Sequence, residues 1–333
     1  MKKQFSLWLQ DAWYTEMYLS SWMMPLSMLY LDAIRLRRFL YRLGILKSTR
    51  LPVPVIIVGN ITVGGTGKTP LVIWLAQFLR QQGYKPGVIS RGYAGTENAE
   101  PQPVGLDSNP AQVGDEAILL AQHCGCPVVV GRNRAQAGRQ LLANQFCDVL
   151  ISDDGLQHYA LKRDIEVVVI DGQRRFGNGY CLPVGPLREP QERIKQVDFV
   201  VVNGGDELLE NEFAMRCHGQ QLVNLVTGET KPLAEFKSIA CHAVAAIGNP
   251  KRFFNQLAKA GINCQNHALP DHHAFTAADL QFNDQQPLLM TEKDAVKCRR
   301  FAQANHWYLP IEAELPQAFS QQLLSLLKTK THG

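Results

Sequence analysis

From residue 51 onward, short continuous apolar runs alternate with stretches in which apolar residues return every three or four positions. The runs at 53–58, 87–90, 127–130, 149–152, 167–170 and 199–202 are rich in Val and Ile and lack in-out alternation, which predicts strands covered on both faces. Between the first two, the spacing predicts a helix over 69–80, with Leu71, Leu75, Phe78 and Leu79 along one side. Strands separated by helices in this order predict a parallel sheet with helices on both faces. After about residue 220 a second, smaller α/β unit is expected. There a strand-like run at 239–247 ends in the turn Gly248-Asn249-Pro250, a helix follows over 251–259, another short strand lies at 287–290, and a helix over 317–327 closes the chain.

Residues 1–50 read differently. An apolar stretch from Met17 to Leu31, interrupted by Pro25, is followed by Arg35, Arg37, Arg38 and Arg42. Three of the five tryptophans (Trp8, Trp13, Trp22) lie in this segment. A spanning helix needs about 20 apolar residues, and this run is shorter and preceded by Asp11 and Glu16. No small-residue cleavage site follows it, so a signal peptide is a poor fit. The pattern suits helices lying in a membrane interface, aromatics among acyl chains and arginines near anionic headgroups. The plainer alternative is a helical hairpin packed on the protein's own core. The expected organisation is therefore an arm at 1–50, an α/β core at 51–220 and a smaller α/β domain at 221–333.

Composition sharpens this picture at one point. The formal net charge is +4, and residues 1–50 hold eight Lys/Arg against three acidic residues, so the arm carries all the excess. A near-neutral body argues against nucleic acid as a partner. The eight cysteines form no CxxC pair and no disulfide framework, and they read as reduced thiols.

The candidate chemistry begins after the first strand. Val63-Gly64-Gly65-Thr66-Gly67-Lys68-Thr69 follows that strand and opens the first helix. Glycines there let backbone N–H groups turn onto phosphate oxygens at the positive end of the helix. Lys68 would reach the β- and γ-phosphates, and the Thr69 hydroxyl would ligate Mg²⁺. The usual first glycine of a phosphate loop is replaced by Thr62. Val63 stands where partitioning-type ATPases carry an extra lysine, which argues against a dimer built on that lysine. Asp153 and Asp154 end an apolar run, where an α/β sheet gathers its ligands, and suit Mg²⁺ or metal-bound water. Gln157 and His158 follow them. Asp115 opens an apparent helix and is a helix cap or, if a histidine reaches it, a base for an alcohol. Asp271-His272-His273 is a polar loop or part of such a pair, and a metal site there would need further ligands. Pro186-Leu187-Arg188-Glu189-Pro190 is rigid and charged, as a fixed contact to a polar ligand would be.

Together these segments, with Ser90-Arg91-Gly92-Tyr93, Val113-Gly114-Asp115-Glu116, Asp271-His272-His273-Ala274-Phe275 and Thr291-Glu292-Lys293-Asp294, resemble the tetraacyldisaccharide 4'-kinase family of lipid A biosynthesis. They span residues 59–294 in order. The resemblance implies transfer of the ATP γ-phosphate to the 4'-hydroxyl of a tetraacylated disaccharide 1-phosphate at the cytoplasmic face of the inner membrane. It implies two α/β/α domains with ATP between them, Asp115 as general base with His272 preferred over His273 as its partner, and Asp153 and Asp154 serving Mg²⁺. Glu189 is expected near the metal or acceptor, and Arg91, Gln157, His158 and Arg188 near the acceptor. An acceptor with four acyl chains stays in the bilayer, at about 0.8 kcal/mol per buried CH₂, which supplies a reason for the arm and for anionic lipids as partners. A kinase for another alcohol and a nucleotide-dependent membrane switch are the alternatives.

Overall fold

The computed structural model describes residues 13–14, 23–92, 100–205, 207–271 and 273–331. Two sheets organise the chain. The larger takes strands β1 (Val55–Gly59), β2 (Pro86–Ser90), β3 (Gln102–Pro103), β4 (Val128–Val130), β5 (Val149–Asp153), β6 (Ile165–Asp171), β7 (Phe199–Asn203) and β8 (Glu212–His218). The smaller takes β9 (Gln221–Asn224), β10 (Thr230–Pro232), β11 (Cys241–Ala245), β12 (Cys264–Ala268), β13 (Leu288–Thr291) and β14 (His306–Leu309). The last strand, β15 (Glu312–Glu314), returns to the larger sheet beside β8.

In the larger sheet the order is β15-β8-β7-β6-β1-β5-β2-β4-β3, parallel from β8 to β4 with an antiparallel strand at each edge. The central strands feed both faces, as their unbroken apolar runs predict. Ile56 and Val58 of β1 pack with Leu71 and Leu75 of the helix Lys68–Gln81 and with Phe319 and Leu323 of the helix Gln317–Thr331. Val55 and Ile57 point the other way, onto Ala137 and Leu141 of the helix Arg134–Asn144. Phe319 is fully buried against Trp74, Phe199 and Phe213, a ring cluster in which one such side chain contributes about 1.5–3 kcal/mol.

The smaller sheet, ordered β10-β9-β14-β13-β11-β12, is covered by the helix Pro250–Lys259 on one face and the helix Glu292–Cys298 on the other. The boundary drawn from the sequence at 221–333 needs correction at its C-terminal end. β15 and the helix after it belong to the larger core, because the apolar face of that helix fits the surface left open by β7 and β8. The sequence pattern does not predict β3, β8, β9, β10, β12, β14 and β15; of these β3, β10, β12 and β15 are edge strands, which need no continuous apolar run.

The described part of the arm is a helix, Met24–Arg42, with Pro25 in its first turn, where the missing N–H is harmless. One side faces the body: Tyr30 and Leu31 pack on the core, Ser27 Oγ donates to the Cys181 carbonyl at 2.8 Å, and Tyr30 donates to the Arg188 carbonyl at 3.1 Å. Leu29, Leu36, Phe39 and Leu43 lie on the opposite side and are exposed. No helix among the described residues is long and apolar enough to cross a membrane.

Candidate active site

The phosphate loop leaves β1 at Gly59 and ends in the helix that Lys68 opens. Gly64 and Gly67 adopt φ of 103° and 97°, conformations that L-residues rarely enter. A Cβ at Gly67 would also lie 2.0 Å from Asn203 Nδ2, which donates to the Thr66 carbonyl at 2.9 Å. Gly65 faces the second sheet: a Cβ at Gly248 would come within 2.6 Å of the Gly65 nitrogen. Arg174 ties the two together, donating to the carbonyls of Gly65 at 2.8 Å and Gly248 at 3.2 Å. Asp171, buried at the end of β6, holds Arg174 at 3.3 Å and lies 3.7 Å from Arg252 of the smaller domain. The loop is thus built on one sheet and lidded by the other.

Asp153 and Asp154 stand at the end of β5, beside β1. Asp154 has φ of 48°, a strained setting for a non-glycine, and its carboxylate meets Lys68 Nζ at 3.4 Å and Arg188 at 3.3 Å. Burial alone would raise its pKa, but Lys68, Arg188 and Arg134 outweigh that and hold it well below the usual carboxylate range. Asp153 is pushed upward, first by burial and then by Glu116 and Asp154, with Lys68 and Arg134 opposing. Ser90 Oγ donates to its Oδ2 at 3.2 Å, whereas Oδ1 is buried without a hydrogen-bond partner among the described residues. A buried, unsatisfied carboxylate oxygen within the field of Lys68 fits a hard divalent cation with oxygen ligands. Among the described residues, no cluster of three or more His, Cys, Asp or Glu is gathered for a metal.

Beyond the pair opens a cavity of about 600 Å³, lined by Arg37, Arg91, Arg132, Arg134, His158 and Arg188 among others. Arg134 is buried and donates to the carbonyls of both Asp153 and Asp154 at 3.3 Å. Burial, helped by Arg134, Arg163, Arg37 and Arg91, pushes His158 down to about 4, so it stays neutral near pH 7. Gln157 donates to the Asn60 carbonyl and to Glu189 Oε1, each at 3.0 Å.

Glu189 shares the cavity wall, but its carboxylate is fully buried and already engaged. Gln157 and Tyr159 donate to it, Arg193 Nε lies at 3.5 Å, and Arg38 of the arm helix at 3.8 Å. These contacts make Glu189 an anchor joining the arm helix to the Arg188 loop. Two hydrogen bonds and two arginine ion pairs hold this one buried carboxylate in place.

Asp115 is buried at the N-terminus of the helix Asp115–His123, entered through Gly114 with φ of 88°. Its Oδ1 accepts from the Glu116 backbone nitrogen at 2.9 Å. Its neighbour Glu116 is close enough to raise the pKa of Asp153, so this helix start and the Asp153–Asp154 pair share one electrostatic field. A second cavity of about 490 Å³ joins Asp115 to His273, Phe275 and Lys297. His273 itself lies 3.2 Å from Asp279, within the Thr276–Asp279 capping box, and so is committed to its own loop. His272 lies outside the described residues.

The sequence missed Asn203, Asp171, Arg174, Arg134, Arg37, Arg132 and Lys297 as site residues. For Asp171 and Asn203 a signal existed: each is a polar residue at the end of an apolar parallel strand, the same sign that marked Asp153. The arginines carried no local signal, because arginines ordinarily face solvent.

A family model described as "Tetraacyldisaccharide-1-P 4'-kinase" matches residues 19–328. A protein named tetraacyldisaccharide 4'-kinase from Nitrosococcus oceani is 54% identical over 317 residues, covering 95% of this chain and 93% of its own. One of the same name from Methylobacillus flagellatus is 50% identical over 329 residues, 98% of each chain. Among solved structures, that of LpxK from Aquifex aeolicus in complex with ATP superposes with a TM-score of 0.78 at 29% identity, covering 92% of this chain and 99% of that one.

Proposed function

The chain belongs to the tetraacyldisaccharide-1-P 4'-kinase family, and from that premise we propose that it transfers the γ-phosphoryl group of ATP to the 4'-hydroxyl of a tetraacyldisaccharide 1-phosphate. The observation that carries the reading is the meeting of Lys68 with Asp154 at 3.4 Å, at the foot of a loop lidded by the second domain and open to an arginine-lined cavity. Gly64, Gly65, Thr66 and Gly67 turn backbone N–H groups onto the phosphates, and Lys68 neutralises the β- and γ-oxygens. Thr69, Asp153 and Asp154 are the residues that would hold Mg²⁺, which when bound offsets charge on the phosphate oxygens.

Asp115 accepts the proton of the acceptor hydroxyl as its oxygen bonds to the γ-phosphorus. The bond from that phosphorus to the β–γ bridging oxygen breaks, and ADP departs with the electron pair. Arg91, Arg188, Gln157 and His158 are assigned to the acceptor, whose 1-phosphate matches the cationic wall. The Asp154–Arg188 contact links that wall to the donor site. The test supplies γ-labelled ATP and the purified disaccharide in mixed micelles. Label should appear in lipid; label released only as inorganic phosphate would reject the acceptor assignment.

The exposed stripe of Leu29, Leu36, Phe39 and Leu43, flanked by Arg35 and Arg42 on one side and Arg37 on the other, suits a helix half-sunk in an anionic interface at the inner membrane's cytoplasmic face. Changing Leu36 and Phe39 to Glu removes about 2 kcal/mol of burial per side chain and adds charge. Sedimentation with phosphatidylglycerol vesicles should fall at least about tenfold while ATP affinity stays unchanged. Undiminished sedimentation would remove the arm helix from the membrane contact.

A further inference from the structure

The helix Glu292–Cys298 belongs to the smaller domain, yet two of its lysines cross to the start of the helix Asp115–His123 in the larger one. Lys293 Nζ lies 2.9 Å from Glu116 and 3.9 Å from Asp271. One turn further along, Lys297 Nζ sits 3.8 Å from Asp115 Oδ2 and 2.7 Å from Asp294 Oδ1. The two helices are sealed by apolar contact, Val296 against the cluster of Val113, Ala117 and Ile118.

Asp294 is fully buried and held by groups of its own domain. Its Oδ2 accepts from the Ala246 nitrogen at 3.0 Å and from the Thr291 hydroxyl at 2.7 Å. Lys297 meets the remaining oxygen as an ion pair, and its buried ammonium has no aligned hydrogen-bond acceptor. A desolvated cation is thus fixed between two carboxylates, one from each domain, rather than satisfied by either. Its side chain is only 12% exposed, so water screens the field at Asp115 weakly.

We infer that Lys297 is a positioning residue for Asp115: carried across the cleft by the smaller domain, it keeps the Asp115 carboxylate anionic and aimed, so that the base is competent when the two domains are docked. This rests on the reading of Asp115 as the proton acceptor. Lys297 exchanges no proton in the reaction; the proton passes from the acceptor hydroxyl to Asp115. Among the described residues, the other charged groups near Asp115 include Glu116 beside it, Lys293 and Asp294 from the same helix as Lys297, Asp271 reached through Lys293, and Asp107, His273, Arg299 and Arg300 across the second cavity. Burial alone would push Lys293 down, but Glu116, Asp115 and Asp271 outweigh it and hold its pKa above the usual lysine value, so it remains charged throughout the working range.

Removing a cation from beside a carboxylate raises the carboxylate's pKa, so a base that must be ionised fails at higher pH than before. In Lys297→Met, the acid limb of the pH profile of kcat/KM should move up by about one unit. On the acid side of that limb turnover should fall about tenfold, while on the plateau above it turnover should come within about threefold of wild type. The KM for ATP should hold, and Lys297→Arg should restore the profile. If Lys297 served only to neutralise Asp294, the variant would lose thermal stability with its acid limb in place, and the inference would fail. A folded Lys297→Met enzyme with the wild-type profile overturns it equally. Asp115→Asn, assayed beside it, separates the two claims. An active Asp115→Asn enzyme refutes the base assignment, whereas an inactive one with an unmoved Lys297→Met profile refutes only the role of Lys297.

Discussion

An Asp115→Asn enzyme is expected to bind ATP as the wild type does and to turn over at least about 100-fold more slowly. The substitution keeps the volume of the side chain and the oxygen that accepts from the Glu116 nitrogen, so the helix start should survive. What it removes is the lone pair that takes the acceptor's proton, and general-base catalysis is commonly worth about 10²–10⁴ in rate. Lys297 keeps Asp294 at 2.7 Å, so its ammonium still has a carboxylate beside it. Steady-state kinetics with ATP and acceptor varied separately would read the split. A kcat within a few-fold of wild type would remove Asp115 from the chemistry.

The second large effect is expected at Lys68. Lys68→Ala should lower turnover by about 10²–10³, the range seen when one charge-stabilising donor is lost from a phosphoryl or acyl transfer site. Its KM for ATP should rise as well, because the cation serves the ground-state phosphates too. The fold should tolerate the change. Asp154 loses one partner but keeps Arg188 at 3.3 Å and the field of the buried Arg134, so its carboxylate is not stranded. A melting temperature close to wild type, with turnover collapsed, would separate phosphate handling from stability. Turnover within about fivefold of wild type would show that another group carries the γ-phosphate charge.

Much of the donor half was legible in the residues themselves. Glycines at left-handed positions, a lysine at the start of an amphipathic helix and paired carboxylates after an apolar strand are local signals, and the structure sets Lys68, at the start of its helix, 3.4 Å from Asp154 at the end of β5. The acceptor half was legible mainly by resemblance. Arg188 and His158 line one cavity with Arg37, which lies more than a hundred residues from either, and with Arg132, and no periodicity links residues brought together only by folding. Glu189 shows what residue type alone leaves out: a carboxylate in a rigid loop suggests a ligand, and only folding brings it the two hydrogen bonds and two arginine ion pairs that tie it to the arm helix.

Hydrophobic period and turn chemistry, both local properties, determined the alternating α/β class, the phosphate loop and the amphipathic character of the arm. Tertiary structure decided what depends on distance across the chain. It returned residues 312–331 to the larger sheet, closed Gly248 over Gly65, and brought Lys297 beside Asp115. The physical reason is that an apolar pattern specifies that a face must be buried without naming its partner, and a charge in sequence carries no direction until packing aims it.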